Sequence, residues 1–228
     1  MCQSHAAERQ PAEPPGRAAV RPTLHHFGLT TANLTAMVEW YAAVLGMAPT
    51  HRAEPAVGAH ARSRWRTTWV TNDRANHRIA IMALSELADD AQRSRHKGFH
   101  HVAFEYPTLD DLLATYARLR DLGIEPVRAA DHGPTTSLYY EDPDRNTIEL
   151  LVDNFGDGEQ SGEFMRTSPH FASNPMGTDV DPEQLLGARA AGMSVAEVHE
   201  RAYAGEFCSA RGFYRHCLAT MADQDLPA

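Results

Sequence analysis

The sequence is poor in the groups that staple or anchor a chain. It holds 3 cysteines in 228 residues, Cys2, Cys208 and Cys217. An odd count at scattered positions is no disulfide framework and fits a reducing cytoplasm. Lys97 is the only lysine among 21 basic residues, and the net charge is -9. A chain this acidic offers no clustered positive face for phosphates, so no nucleic-acid partner is expected. No apolar run approaches the roughly 20 residues of a bilayer span, so no membrane partner is expected either. The opening MCQSHAAERQPAEPPGRAAV lacks the apolar core of a signal peptide. Its Ala, Pro, Gly and Glu content reads instead as a disordered lead over residues 1–20. Apolar residues make up 43% and charged residues 22%, ordinary values for a globular protein long enough to bury a substantial core.

Histidine is what the sequence has in quantity: 13 residues, and they cluster. The segment HHFGLTTANLTAMVEWYAAVLGM, from His25, recurs 75 positions later as HHVAFEYPTLDDLLATYARLRDLGI, from His100. Each copy reads as a strand, a loop and an amphipathic helix. Further strands are expected at WRTTWVTN (65–72), HRIAIMAL (77–84), TSLYYED (136–142) and NTIELLVD (146–153), with Asp142–Pro143–Asp144 turning the last pair into a hairpin. Each half is then β-α-β-β-β, with one strand hard to place. The expected fold class is α+β: two such modules pairing into a curved mixed sheet around a cleft. The boundaries are a domain over 21–155, with modules at about 24–90 and 98–155, and a C-terminal arm over 156–228.

Strand alternation sorts the faces. In LHHFGLT, Phe27 and Leu29 share a face with His25 and should pack under the helix, which turns His26 to the other side beside Gly28 and Thr30. In the second copy Val102 and Phe104 pack, and His101 faces away with Ala103 and Glu105. The repeat therefore puts His26 and His101 on equivalent concave faces. In NTIELLV, Glu149 lies between Ile148 and Leu150, where a buried carboxylate is costly unless it is paired or bound to a metal. Two imidazoles and one carboxylate with open positions suit a non-haem Fe(II) centre, although Mn(II), Zn(II) and Ni(II) accept the same donors. His77 stands at the expected cleft mouth, His132 in ADHGPTT, and Tyr139 across the hairpin from Glu149. These three can move or donate protons, or simply pack, and spacing alone leaves both readings open.

The segments LHHFGL, NHRIAI, GFHHVAFEY, ADHG and SLYYEDPDRNTIEL, in this order and spacing, resemble the vicinal oxygen chelate superfamily, and within it the extradiol ring-cleaving dioxygenases of catechol and biphenyl-diol type. The likeness covers about Leu24 to Asn154. It implies paired βαβββ modules and a metal, Fe(II) or else Mn(II), held by His26, His101 and Glu149. It also implies catalytic roles for His77 near bound oxygen, for His132 against a substrate oxygen and for Tyr139. The implied partners are a small catecholic substrate and O2. A cytoplasmic homo-oligomer is expected, since module edges need cover. In the family the turn usually reads Asp-Pro-Asp-Gly-Asn; here Arg145 stands in the glycine position. If that position needs φ > 0, the arginine costs on the order of 1 kcal/mol.

Two rivals share the scaffold. Glyoxalases, isomerases and thiol transferases use the metal as a Lewis acid, often with a fourth protein ligand. No Glu or Gln occurs at Ile79–Met82, where such a ligand would stand, which favours open coordination. A metal-free carrier of aromatic compounds would not need the ligand set at all. In the arm, Asp181–Pro182 and the Ser194/Glu197 box announce two short helices, and residues 155–181 read as extended. Phe155, Phe164, Met165, His170 and Phe171 would suit either an apolar lid or packing against the outer helices.

Overall fold

The computed structural model describes residues 20–55 and 64–208. The expected disordered lead (Val20 apart), the frayed end beyond Gly212, Cys2 and Cys217 lie outside the described residues.

The duplicated segments fold alike. β1 (Phe27–Thr31) leads to α1 (Leu34–Leu45), and β5 (His101–Glu105) leads to α2 (Leu109–Asp121). Both helices start on a side-chain cap. Asn33 accepts from the Ala36 N–H and Thr108 from the Asp111 N–H. Gly46 and Gly123 end them at φ 65 and 75°, left-handed conformations that glycine adopts without steric cost.

β2 (Ala48–Ala53), β3 (Arg66–Thr71) and β4 (Ile79–Ala83) complete the first sheet in the order β1-β4-β3-β2. β6 (Arg128–Asp131), β7 (Thr135–Glu141) and β8 (Thr147–Asp153) complete the second, in the corresponding order β5-β8-β7-β6. The strands hard to place from sequence are β2 and β6. β2 is almost wholly exposed and carries Pro49, so it shows no alternation, while all four residues of β6 are buried.

The helix-facing sides hold the core. Met37 and Tyr41 of α1 pack with Val70, Ile79 and Ile81, and Leu112, Leu113 and Leu119 of α2 pack with Leu138, Ile148 and Leu150, all at most 1% exposed. Each large side chain buried so fully contributes about 1.5–3 kcal/mol. The opposite faces of β1 and β5 are open: Gly28, Thr30, His101, Ala103 and Glu105 are exposed. That division matches the alternation read from sequence. The modules are tied together by the Tyr41 hydroxyl, which donates to Asp142 Oδ2 at 3.0 Å across a buried contact. Arg118 adds a bond to the Ala43 carbonyl at 2.7 Å, and the Phe27 and Phe104 rings lie 6.3 Å apart. Asp142 also caps its own turn, accepting from the Asp144 and Asn146 N–H groups. In that turn Arg145 takes φ 64°, the one non-glycine residue with positive φ among those described.

The arm differs from expectation at its start. Residues 155–181 are not extended but fold into α3 (Gly158–Thr167) and α4 (Pro169–Ser173) before β9 (Thr178–Asp179). Their Gly and Ser content hides the helices, which begin on the Asp157 and Ser168 caps. β9 pairs with β6 and extends the second sheet to five strands. α5 (Pro182–Ala190) and α6 (Val195–Tyr203) start at the expected Asp181 cap and Ser194/Glu197 capping box. α5 docks on α2 through Arg189 with Asp110 at 2.6 Å and Tyr116 with Glu183 at 2.8 Å. Phe164 packs on Phe155, on Phe171 and on Tyr203 of α6, and it also lies over Gly133 beside His132; His170 packs on Tyr203, and Met165 is half exposed.

Candidate metal centre

In the second module one row of residues crosses four strands. Ala103 of β5 pairs with Glu149 of β8, Glu149 with Tyr139 of β7, and Tyr139 with Arg128 of β6. Glu149 is only 5% exposed. Its carboxylate is satisfied from two sides: Oε1 accepts from the Tyr139 hydroxyl at 2.8 Å, and Oε2 lies 3.0 Å from His101 Nε2. The Tyr139 hydroxyl is also 2.8 Å from His132 Nε2, and His132 Nδ1 meets the Met176 carbonyl at 2.9 Å. His101, Glu149, Tyr139 and His132 thus form one chain of contacts.

Burial, with the Glu149 charge second, raises the Tyr139 phenol well above its ordinary value, so it keeps its proton at neutral pH. Burial first and the Arg128 charge second lower His132, which favours the neutral imidazole. A neutral histidine and a protonated phenol in contact can pass one proton between them.

The first module gathers its own cluster. His25 Nδ1 and His26 Nδ1 are 2.9 Å apart, and the His26 and His77 rings lie 4.3 Å apart. Ligand atoms of all three sit within 4.8 Å of one another, the one such triplet among the described residues. Burial and then the neighbouring His26 and His25 lower the His77 pKa. Beside His77 a cavity of ≈ 470 Å³ is lined by Thr50, His51, Trp69 and Asn76. A larger hollow of ≈ 620 Å³ on α3 is lined by none of the predicted site residues and has no bearing on the chemistry.

The predicted residues therefore fall into two groups. His101, Glu149, Tyr139 and His132 touch in sequence, while His26 stands with His77 and with His25, which sequence reasoning passed over. His25 was expected on the helix side with Phe27. Strict alternation fails there because the regular strand begins only at Phe27. His100 was passed over too, and its Nδ1 lies 2.7 Å from His101 Nδ1. The signal available for both was the doubled histidine itself.

His101 and Glu149 are spaced as two ligands of one divalent ion would be, while His26 stands apart from them with His25 and His77. Two ligands at about 2.1 Å from one metal and at right angles to each other are about 3.0 Å apart, which is the His101–Glu149 separation. Imidazole nitrogens and a carboxylate suit Fe(II), Mn(II) or Zn(II). The ladders also define where a second carboxylate would stand. Ala103 pairs with Glu149, and its counterpart Gly28 pairs with Ala80. The first module has a methyl group where the second has its carboxylate.

Comparison with known proteins agrees with this architecture. Residues 23–150 match the family model of the Glyoxalase/Bleomycin resistance protein/Dioxygenase superfamily. Over 185 residues the chain is 37% identical to biphenyl-2,3-diol 1,2-dioxygenase 3 of Rhodococcus globerulus, covering 81% of this chain and 91% of that protein. It is 35% identical to biphenyl-2,3-diol 1,2-dioxygenase 2 of the same organism, with coverage of 81% and 90%. The chain belongs to the glyoxalase/bleomycin resistance protein/dioxygenase superfamily, in the branch of its ring-cleaving dioxygenases.

Proposed function

We propose that the protein is a metal-dependent extradiol dioxygenase that opens a catecholic ring with O2, inserting both oxygen atoms. The observation that carries this reading is the Ala80/Glu149 asymmetry. One carboxylate and two imidazoles leave positions open for a chelating diol and for O2. A Lewis-acid enzyme with a fourth ligand would need a donor near Ala80, and β4 supplies none. The likeness to two biphenyl-2,3-diol dioxygenases over 81% of the chain supports the same choice.

His26, His101 and Glu149 would hold the metal, Fe(II) rather than Mn(II) in our reading. It would supply Lewis acidity for the diol and a route for electrons to O2. The remaining work falls to side chains. His132 Nε2, neutral and open to Tyr139, accepts a proton from the diol hydroxyl that docks beside it. Tyr139 keeps its one phenol proton, here given to Glu149 Oε1, and would turn it to the substrate oxygen where charge develops. His77 stands across the cleft as a further hydrogen-bond donor to reduced oxygen. The cavity walled by His51 and Trp69 offers an aromatic surface for a substituent on the ring. The setting we propose is the cytoplasm, with the chain as a homo-oligomer.

The test is anaerobic purification, metal analysis, and addition of substituted catechols including biphenyl-2,3-diol, followed by O2. Bound iron or manganese, O2 uptake and a yellow ring-opened product are expected. Bound metal without O2 uptake on any diol would move the assignment to the Lewis-acid enzymes. Absence of metal after reconstitution would move it to a carrier of aromatic compounds.

A further inference from the structure

The arm reaches His132 through a backbone atom. The Met176 carbonyl meets His132 Nδ1 at 2.9 Å, while the Met176 side chain is 52% exposed and turned to solvent. A carbonyl only accepts, so this contact requires His132 Nδ1 to carry the proton. His132 Nε2 then carries a lone pair, and it accepts from the Tyr139 hydroxyl at 2.8 Å when that single proton turns to it from Glu149 Oε1.

The segment bearing that carbonyl is fixed on several sides. Arg128 donates to the same carbonyl at 3.2 Å and pairs with Asp179 at 3.2 Å. Asn174 Nδ2 donates to the Gly177 carbonyl at 2.8 Å. β9 then pairs Asp131 with Thr178 and Ala130 with Asp179. On the opposite side of β6, buried Asp131 meets His199 Nδ1 of α6 at 2.8 Å. Gly177 sets the closeness of the approach. It has φ 74°, and a Cβ there would press into the Asp131 carbonyl oxygen and lie 2.6 Å from His132 Cα. No other residue lets the strap lie so near His132.

We propose that this strap, Asn174 to Asp179, is a positioning element of the active site: through the Met176 carbonyl it holds His132 as the Nδ1–H tautomer with Nε2 presented to Tyr139 and substrate. The proposal rests on the dioxygenase reading for its kinetic consequence, but the tautomer itself can be observed without turnover. It gives the arm, which lies largely outside the duplicated modules, a direct part in the chemistry, and it makes Gly177 and Asn174 positioning residues.

The experiment uses the full chain labelled with ¹⁵N-histidine and loaded with Zn(II) as a diamagnetic probe. Long-range ¹H–¹⁵N correlation assigns which His132 nitrogen is protonated, with His132→Gln identifying the signal. Iron-loaded protein gives kcat, KM and the pH profile. In the native chain His132 should be protonated at Nδ1. Gly177→Ala and Asn174→Ala should mix the tautomers and lower kcat about 10- to 100-fold, as misplacement of a proton-transfer group does. KM should stay within about threefold. Should Gly177→Ala not fold, Asn174→Ala carries the test, since it removes one part-buried side-chain hydrogen bond and adds no atom. An Nε2–H tautomer in the native chain, or variants that lose rate while keeping Nδ1–H, would overturn the proposal. An Nδ1–H tautomer in a chain that turns over no diol would instead sink the dioxygenase reading and leave the tautomer assignment standing.

Discussion

Replacing Tyr139 with Phe separates proton handling from metal binding. The change removes one oxygen and keeps the ring. His132 Nε2 and Glu149 Oε1 each lose a partner at 2.8 Å. The contact with Glu149 is a hydrogen bond to a buried carboxylate, and losing it costs about 1.5–3 kcal/mol of stability. The ligand-facing oxygen is the other one: Oε2, at 3.0 Å from His101. Metal retention should therefore survive. Turnover should not, because a positioned acid–base group contributes about 10²–10⁴-fold, equivalent to about 3–5 kcal/mol of barrier. The assay pairs metal content by elemental analysis with single-turnover rates at saturating diol and O2. We expect unchanged stoichiometry, a KM within a few-fold of native, and kcat lowered by about 10²–10⁴. Loss of metal would show that Tyr139 supports the ligand rather than the substrate. A kcat within about threefold of native would refute any role in proton transfer.

Glu149→Ala should abolish metal retention and turnover together, checked by elemental analysis after dialysis; near-native activity would remove Glu149 from the site. The acid limb of kcat/KM should lie below pH 6.5, because burial and Arg128 hold His132 under its ordinary value and so neutral above it; a limb centred above that value counts against His132 as the base. Arg145→Gly should raise stability by about 0.5–1 kcal/mol in urea unfolding with activity unchanged, since φ 64° strains arginine but not glycine. Tyr41→Phe should cost about 1–3 kcal/mol by uncoupling the modules at Asp142. Burial raises the Asp142 pKa in the folded state, so its contribution is fully present below the unfolded value and is lost as pH rises through the folded one. The Tyr41 hydroxyl opposes that shift, so the variant's deficit should widen as pH rises; a constant gap across that range would show that Asp142 does not titrate as argued.

How much of this was legible in sequence depended on whether one side chain or several fixed the outcome. The helix α2 could be read because cap, periodicity and stop glycine agree at Thr108 and Gly123, and α1 because the same pattern stands 75 positions earlier. The strands β3, β4, β7 and β8 could be read because each buries a face. β2 and β6 could not: one is exposed and proline-bearing, and the other is four buried residues that include Arg128 and Asp131. Glu149 was found as a carboxylate set between apolar neighbours, and Tyr139 from its place across the hairpin, both local properties. His25 and His100 were missed because alternation was applied before the regular strands begin. The Met176 carbonyl was out of reach altogether, since every residue has one and only the path of the chain brings this one to His132.

The two modules divide the work that their common ancestry would let either do. Each contributes one histidine from the start of its first strand, but only the second carries a carboxylate at the matching rung, and the first has Ala80 there. Only the second has the hydrogen-bonded tyrosine and histidine beside that carboxylate. The first brings His77 and an aromatic-walled cavity instead. A strictly symmetric duplication would give two histidines and two carboxylates, a closed four-ligand shell with little room for both a diol and O2. Ala80 in place of a second carboxylate leaves the coordination as open as the proposed chemistry needs. In the proposed chemistry one module then serves proton transfer and the other substrate and oxygen. The arm follows the same asymmetry: β9 extends only the second sheet, at the strand that leads into His132.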